Sequence, residues 1–331
     1  MKKILVLTVK DDVHTIKVAE ILNQKYNEEL VELDRESYGR DWSISIIANK
    51  SGPKIYVTHK GKDFSEKDIS SLWLRRNFHF ASSGDNLTPQ DSYIASQTAI
   101  HVNSAMRLLA ETTYCMNSPE ANWKANSKCI QAYYASSSGL LIPETFQGGS
   151  PGLLHDFSSS TTEGHELCIK PIESTHIRVD EKVTLAHYTK IFQRRPLNEL
   201  ESVKACPVTI QKYIEKDYEI RATVVGEKIF AASIDTKNAS DDAKIDFRHY
   251  DWANTPYYPV TLPDEVCKQI LVVMRRMGLN YGAFDLIKTY DSQYYFLEVN
   301  SQGQWLWVED MTGLKISDAI AESLWSHKCS S

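Results

Sequence analysis

Apolar residues follow two rhythms along this chain, and the change between them divides it. Lys3 to Val9 is a nearly unbroken apolar run, the pattern of a strand buried on both faces. Val13 to Tyr26 then carries Val13, Ile16, Ala19 and Leu22 at helical spacing, and Leu30 to Leu33 is a second short apolar run. This β-α-β opening predicts a small doubly wound domain. Ser43–Ile47, Lys54–His59 and Ile69–Arg75 read as further strands. Pro89 to Glu111 reads as a long helix with Ile94, Val102, Ala105 and Leu109 on one face. Ser118-Pro119 opens another predicted helix, running to about Ser138, with Gly139 in the C-cap position and Pro143 beyond. The Ser/Gly-rich stretch Gln147 to Gly164 reads as an irregular loop, either a linker or a lid.

From Glu166 onward the rhythm is that of strands. Glu166–Ile172, Val208–Ile214, Tyr218–Val225, Lys228–Asp235, Gly282–Lys288 and Tyr294–Asn300 are the candidates, with helices Asp264–Met277 and Ser317–Trp325 to cover them. This order predicts an α+β domain with an antiparallel sheet behind the α/β opening.

Composition narrows the function classes. A length of 331 residues suits about two domains. The net charge of -6 gives no general basic excess, so no nucleic-acid partner is expected. None of the six cysteines forms a CxxC pair, which fits reduced thiols in a cytoplasmic protein. The ten histidines form no HxxxH pair that would suggest zinc. Ile4 to Leu7 is too short for a signal-peptide core, and no stretch approaches the roughly 20 apolar residues of a membrane span, so no membrane partner is expected. The opening unit lacks GxGxxG and gives no evidence for a dinucleotide.

The most informative segment runs from Gly282 to Asn300. Two apolar strands flank Asp291-Ser292. With those two residues as the hairpin loop, Asp285 faces Glu298, and Asn300 shares the face of Glu298. Phe284, Leu286, Leu297 and Val299 then point to the opposite side, into a core. Two opposed carboxylates repel, and a hard cation reverses that repulsion. Mg2+ takes oxygen ligands and shares its sphere between a few carboxylates and substrate phosphates, which suits two acids and an amide on one sheet face. A solvated acidic face is the plainer alternative, and a one-residue slip of register would part the three.

This segment resembles the ATP-grasp ligases. The tail Phe296-Leu-Glu-Val-Asn-Ser-Gln-Gly-Gln-Trp-Leu-Trp-Val-Glu309, with Thr312-Gly313-Leu314 and Ile316, resembles the branch that matures microviridin-type peptides, the graspetides. Trp73-Leu74-Arg75-Arg76 is similar to a Trp-x-Arg-Arg stretch of that branch. The resemblance implies an ATP-grasp fold in three parts. These are an N-terminal pre-ATP-grasp domain (1–116), a central domain (117–207) with a peptide-gripping insertion at about 174–190, and a C-terminal grasp domain (208–331). It implies ATP and two Mg2+ ions held by Asp285, Glu298 and Asn300, with Glu298 bridging. Lys128 and Lys170 correspond to the nucleotide lysines, and Gln211-Lys212-Tyr213-Ile214 to the hinge whose backbone meets adenine. Glu219 falls at the ribose-binding acid, and Arg221 and Arg248, with Lys170, at the groups that steady phosphate and an acyl phosphate. Arg178, Lys182 and Lys190 would meet acidic residues of a precursor peptide's leader. Such ligases often pair, which leaves a homodimer open.

Taken singly, these residues have ordinary readings. Lys170 ends a strand, Lys128 sits on a helix, and Arg221 and Arg248 suit salt bridges. Arg75-Arg76 suits a pin at a domain interface, its role left open. Trp305 and Trp307 alternate as in a strand and suit a core. Two departures from the family pattern matter. Ile172-Glu-Ser-Thr-His176 has no glycine where many ATP-grasp enzymes have a phosphate loop, which favours the peptide-maturing branch. Ser301 stands where proline often follows the metal-binding asparagine. The expected activity is phosphorylation of Asp or Glu side chains of a precursor peptide and their crosslinking to Thr, Ser or Lys, with ester favoured. The competing readings are a ligase of free amino acids or short peptides, and a non-catalytic peptide-binding protein. The insertion and the Gln302–Trp307 tail speak against the first, and the complete metal set against the second.

Overall fold

The structure is a computed structural model that describes residues 2–78, 88–160, 166–172, 176–178, 184–186, 188–249 and 251–329. Its first sheet is wholly parallel, in the order Leu30–Asp34, Lys3–Thr8, Ile69–Leu74, Tyr114–Met116. The central pair is buried on both faces, which is why Lys3–Thr8 is apolar without alternation. Helix Val13–Tyr26 connects the first two strands and is capped by Asp12, whose carboxylate accepts from the amides of His14 and Thr15. Its buried face is His14, Thr15, Val18, Ile21 and Leu22, whereas Val13 and Ile16 are exposed. The apolar stripe expected through Val13 and Ile16 is therefore rotated. The buried side begins with polar residues, satisfied by Thr8 and Arg75.

A three-stranded antiparallel sheet, Trp42–Asn49, Gly52–His59 and Lys62–Ser65, follows the βαβ unit, and its third strand was not expected. Ile44, Ile55 and Val57 pack with Val102, Ala105 and Leu109 of helix Pro89–Ala110, while Ile94 is exposed.

The single helix expected from Ser118 to Ser138 is two, Pro119–Ala125 and Lys128–Ser136. Ser127 breaks it by acting as the N-cap of the second, accepting from the Ile130 amide. The stretch Gln147 to Gly164 is not all loop either. Pro151–Ser160 is a helix, with Ser150 receiving the Leu153 amide and proline in its first turn. Its Leu154 enters a small core with Leu167, Leu200, Val203 and Ile210. That core lies under a four-stranded sheet ordered Lys190–Phe192, Leu167–Lys170, Val208–Lys212, Thr145–Gly148. Within the segment read as an insertion, His176–Arg178 pairs antiparallel with Thr184–Ala186.

The last sheet has five antiparallel strands, ordered Tyr257–Val260, Lys228–Ile234, Tyr218–Val225, Tyr281–Lys288, Tyr294–Asn300. Ile220, Ala222, Val224, Phe284 and Leu286 face helix Asp264–Met277, which buries Val266, Ile270, Val273 and Met277 against them. The opposite face holds Val225, Tyr281 and Ala283, which join Ile4, Val18 and Trp73 of the N-terminal unit in one core with helix Ile316–Cys329. That final helix covers both sheets, not the last one alone. Ser71 donates to the Leu324 carbonyl at 2.6 Å, and Tyr26 stacks on Trp325 at 4.5 Å. Among the described residues no helix is long and apolar enough to cross a membrane. The five cysteines whose side chains are described are all unpaired.

Asn117 fastens the base of the last hairpin. Its amide donates to the carbonyls of Tyr281 at 2.9 Å and Ser301 at 3.0 Å, and its oxygen accepts from the amides of Asn280 and Tyr281. Asn117 is 1% exposed, so no water replaces these partners on truncation. Asn117→Ala is expected to cost about 3 kcal/mol or more, since several buried backbone groups lose their partner at once. Denaturant unfolding measures this, and a loss below about 1 kcal/mol would show that the hairpin base holds without the clasp.

Candidate active site

Strands Tyr281–Lys288 and Tyr294–Asn300 place Asp285 directly opposite Glu298, as the sequence suggests, but by a different route. The Thr289 amide bonds the Gln293 carbonyl at 3.0 Å, and Ser292 adopts a left-handed φ of 63°. The connection is therefore a three-residue loop, Tyr290 to Ser292, not the two-residue loop Asp291-Ser292. That shifts the pairing by one residue, and an irregularity between Asp285 and Leu286 shifts it back. The residue left over is Leu297. It lines the cavity described below instead of joining Phe284, Leu286 and Val299 in the core. Asn300 pairs with Ala283 and is exposed, its side-chain oxygen accepting from the Gln302 amide at 2.9 Å.

Basic groups meet each carboxylate. Arg221 lies opposite Asp285 across the neighbouring strand, with Nη1 2.7 Å from Oδ1. Glu298 has Lys128 Nζ at 3.3 Å and Arg248 Nη1 at 3.4 Å. The break at Ser127 puts Lys128 in the first turn of its helix, from where Nζ also donates to the Pro171 carbonyl at 3.3 Å. Burial raises the Asp285 pKa, with Arg221 opposing and Glu298 adding to the rise. Burial acts the same way on Glu298, but Lys128, Arg248 and Lys170 outweigh it and its pKa is lowered. Arg221, Lys128 and Arg248 thus form ion pairs with the opposed acids, and Lys170 adds its charge from farther away.

Asp246 is a site residue that the sequence reading missed. It is 4% exposed and grips Arg248 with both oxygens, at 2.8 Å from Nε and 2.9 Å from Nη2. Burial alone would raise its pKa, but the hydrogen bonds and charge of Arg248 and the Thr189 amide hold it down at about 2. The signal was present as an acid two residues before Arg248, a spacing that lets one side chain fold back on the other.

Both carboxylates of the pair, with Lys128 and Arg248, line a cavity of about 570 Å3 between the central sheet and the last sheet. It brings together Lys128, Lys170, Gln211, Glu219, Arg248, Asp285 and Glu298. Lys170 Nζ donates to Gln211 Oε1 at 2.7 Å, and Gln211 Nε2 donates to Thr145 Oγ1 at 2.9 Å. Lys212, Tyr213 and Ile214 line an adjoining recess with Glu219. The amides of Lys212 and Tyr213 are already bonded to the carbonyls of Glu144 and Glu166, each at 2.9 Å. Glu219 is buried and ion-paired with Lys216; burial raises its pKa despite that partner. Thr145, Lys216, Phe247 and Leu297 also line this space and carry no motif that would have marked them.

Of the three residues expected to bind a peptide, Lys190 alone has a described side chain. Lys182 lies outside the described residues, as does the side chain of Arg178. Lys190 is exposed at the start of its strand, next to Thr189, which lines the cavity. Residues 173–175, part of the glycine-free stretch, also lie outside the described residues. Trp305 and Trp307 do not alternate in a strand. The chain turns after Asn300, Trp305 precedes helix Leu306–Thr312, and Trp307 is inside it against Phe247 and Tyr257.

Comparison with known proteins agrees with this geometry. Residues 3–107 match the MvdD pre-ATP grasp domain, and residues 177–324 match the RimK-like ATP-grasp domain. The crystal structure of macrocyclase MdnC from Microcystis aeruginosa, bound with precursor peptide MdnA, superposes with a TM-score of 0.83 at 25% identity, covering 98% of this chain and 99% of that one. The chain has the domain pair and the fold of the microviridin-type ATP-grasp ligases. A RiPP-associated ATP-grasp ligase from Chryseobacterium gregarium, solved with ADP and a leader and core peptide, gives 0.86 at 25% identity over 98% and 97% of the two chains. Macrocyclase MdnB from M. aeruginosa gives 0.79 at 26% identity, over 98% and 99%. A sequence search of curated proteins found no match. As an ATP-grasp ligase the protein uses ATP with Mg2+.

Two substitutions test how the ligase holds its charges. A Cβ on Gly303 would lie 2.6 Å from that of Ala283 and 2.7 Å from Arg221 Nη2. Gly303→Ala is expected to cost about 1–3 kcal/mol by overpacking. By displacing Arg221 it should also lower kcat/KM about ten-fold or more. Normal kinetics in this variant would show that Arg221 tolerates displacement. Asp246→Asn should free Arg248 and destabilise the protein at neutral pH. Because the folded pKa of Asp246 is depressed, its stabilisation is complete above its unfolded value of roughly 4 and is lost as pH falls toward 2. Unfolding measured across that window should show wild type and variant converging at the acid end; a gap that is flat with pH would contradict the pairing.

Proposed function

We propose that the protein is an ADP-forming ligase that activates Asp or Glu side chains of a ribosomal precursor peptide and joins them to Thr, Ser or Lys side chains of the same peptide. The observation that carries this reading is that Asp285 and Glu298, paired across the hairpin with Asn300 two residues beyond Glu298, line a nucleotide-sized cavity together with Lys128, Lys170 and Arg248. The architecture that MdnC, solved with its precursor peptide, shares over nearly the whole chain supports the choice of substrate.

The donor set fits Mg2+. Among the described residues no three His, Cys, Asp or Glu side chains converge, so the set is two carboxylates and one amide, all oxygen donors. Such a set leaves room for phosphate oxygens to complete the sphere. Asp285, Glu298 and Asn300 would hold the metal, with Glu298 as the ligand shared by two ions. Bound Mg2+ supplies charge neutralisation on the transferring phosphoryl group.

The chain's own residues do the rest. Lys128 and Lys170 place ammonium groups along the cavity for the nucleotide phosphates, and Gln211 fixes the direction of Lys170. Arg248, steadied by Asp246, and Arg221, steadied by Asp285, offset the charge that grows as the peptide carboxylate attacks the γ-phosphate. That step forms an acyl phosphate and releases ADP. A hydroxyl or amine then attacks the acyl carbon, expels phosphate and leaves an ester or an amide. With the Lys212 and Tyr213 amides engaged, the Ile214 amide is the hinge donor left to meet the adenine edge. Glu219 would take a ribose hydroxyl. Arg178, Lys182 and Lys190 would meet acidic residues of the leader, from the insertion at about 174–190.

Incubation with the precursor peptide, ATP and Mg2+ should remove one water from the peptide mass, and yield one ADP, per crosslink. Unchanged peptide mass with folded, nucleotide-binding protein would overturn the reading. Glu298→Gln should abolish the reaction, and Lys170→Ala should lower kcat by about 10²–10³.

A further inference from the structure

A second crevice lies in the N-terminal unit, at the carboxyl ends of Lys3–Thr8 and Ile69–Leu74. The chain passes from the first of these strands to a neighbour on one side, Leu30–Asp34, and later to Ile69–Leu74 on the other. The strand order therefore reverses between Leu7 and Leu74, and both residues line the crevice. Open parallel sheets bind ligands at such a reversal, because the loops there diverge and leave space. The space is about 460 Å3.

Its lining has a definite chemistry. Arg76 and Arg107 are the charged residues of the lining; no aspartate or glutamate contributes among the described residues. Each arginine has an acid on its far side, Asp12 at 3.2 Å and Glu120 at 3.3 Å. Asn77, Asn103 and Asn122 add carboxamides. Asn122 is only 3% exposed, and among the described residues neither its side-chain nitrogen nor its oxygen has a hydrogen-bond partner. A buried carboxamide left unmatched on both atoms is costly unless a ligand supplies the missing donor and acceptor, as a peptide backbone does. Trp123, 67% exposed at the rim, offers an aromatic face.

The crevice is tied to the metal end of the hairpin. Asn300 accepts from the Gln302 amide at 2.9 Å, and the Gln302 side chain donates to the Leu74 carbonyl at 3.0 Å and to Asn77 Oδ1 at 3.1 Å. Leu74 and Asn77 both line the crevice. One residue thus spans from a metal ligand to the wall of this second space.

We propose that this crevice binds an acidic stretch of the peptide substrate, the part next to the carboxylate that is activated at the cavity. Arg76 and Arg107 receive its carboxylates, the asparagines its backbone, and Trp123 covers it. This rests on the ligase reading for the identity of the peptide but not for the binding itself. The test uses the full chain with Mg2+ and ADP, and acetyl-tetraglutamate amide as probe, titrated by calorimetry beside acetyl-tetraglutamine amide. Tetraglutamate should bind more tightly. Arg107→Glu and Trp123→Ala, both at exposed positions that leave folding intact, should each weaken it about ten-fold or more, with ADP affinity held within about two-fold. No binding of tetraglutamate, equal binding of tetraglutamine, or indifference to both substitutions would overturn the proposal. Glu298→Gln separates the two readings, since it removes ligation and leaves tetraglutamate binding in place. Crosslinking with a peptide KM unmoved in both variants would sink the crevice and spare the ligase. Tetraglutamate binding without crosslinking would do the reverse.

Discussion

The structure depends on two carboxylates set face to face. Asp285 and Glu298 stand opposite each other on adjacent strands, a placement that destabilises a sheet unless positive charge is brought to it. Much of the surrounding architecture answers that need. Arg221 is placed by strand pairing, and Gly303 lacks a side chain so that the guanidinium has room. Lys128 is placed by a helix that restarts at Ser127, and Arg248 by a short turn held through Asp246. Each cation comes from a different element, so the charge balance also ties those elements together. Two of these cations, Lys128 and Arg248, also line the cavity beside the acids.

Much of this was legible in the sequence because strand alternation is robust. Tyr218–Val225, Tyr294–Asn300 and Asp264–Met277 have the bounds that their patterns suggest. The register of the acidic hairpin was right through two departures that cancel. A three-residue loop moves the pairing one way and the irregularity beside Leu297 moves it back. Nothing in the local residue types announces that bulge, since Leu297 looks like any core leucine and faces the cavity only because the ladder slips around it. Helix Pro151–Ser160 was hidden by its serines and glycines, although Ser150-Pro151 is a sound start signal. Trp305 and Trp307 show the limit of periodicity. Three residues are too few to tell a strand from the first turn of a helix.

Asp246, and the contacts of Gln302, were missed for a different reason. Asp246 belongs to no motif, Gln302 stood out only as part of the tail, and each matters through a partner distant in sequence or through the direction its side chain takes. Asp246 accepts from the Thr189 amide, 57 residues away, and Gln302 donates to the Leu74 carbonyl, 228 residues away. Such roles come from the fold, and a single sequence carries no trace of the pairing.

The arrangement of cores decides which parts act as one body. The last sheet shares a continuous core with the N-terminal unit through Trp305, which is 1% exposed between His14, Trp73 and Tyr281 and lies under the Arg75 guanidinium. Arg75 is itself 1% exposed and donates to the Gln302 carbonyl at 2.8 Å. The acidic hairpin and the N-terminal crevice are therefore fixed relative to each other by apolar packing and buried hydrogen bonds. The central sheet has its own small core, and its links to the hairpin include polar contacts such as Lys128 to Glu298 and Thr189 to Asp246. Contacts of that kind exchange for water at small net cost, whereas a shared apolar core does not. The carboxylates, Asn300 and the crevice wall therefore keep their spacing. Fixed spacing on the peptide side is what a reaction between two side chains of one peptide requires, because the activated carboxyl and its attacker must meet in a single geometry.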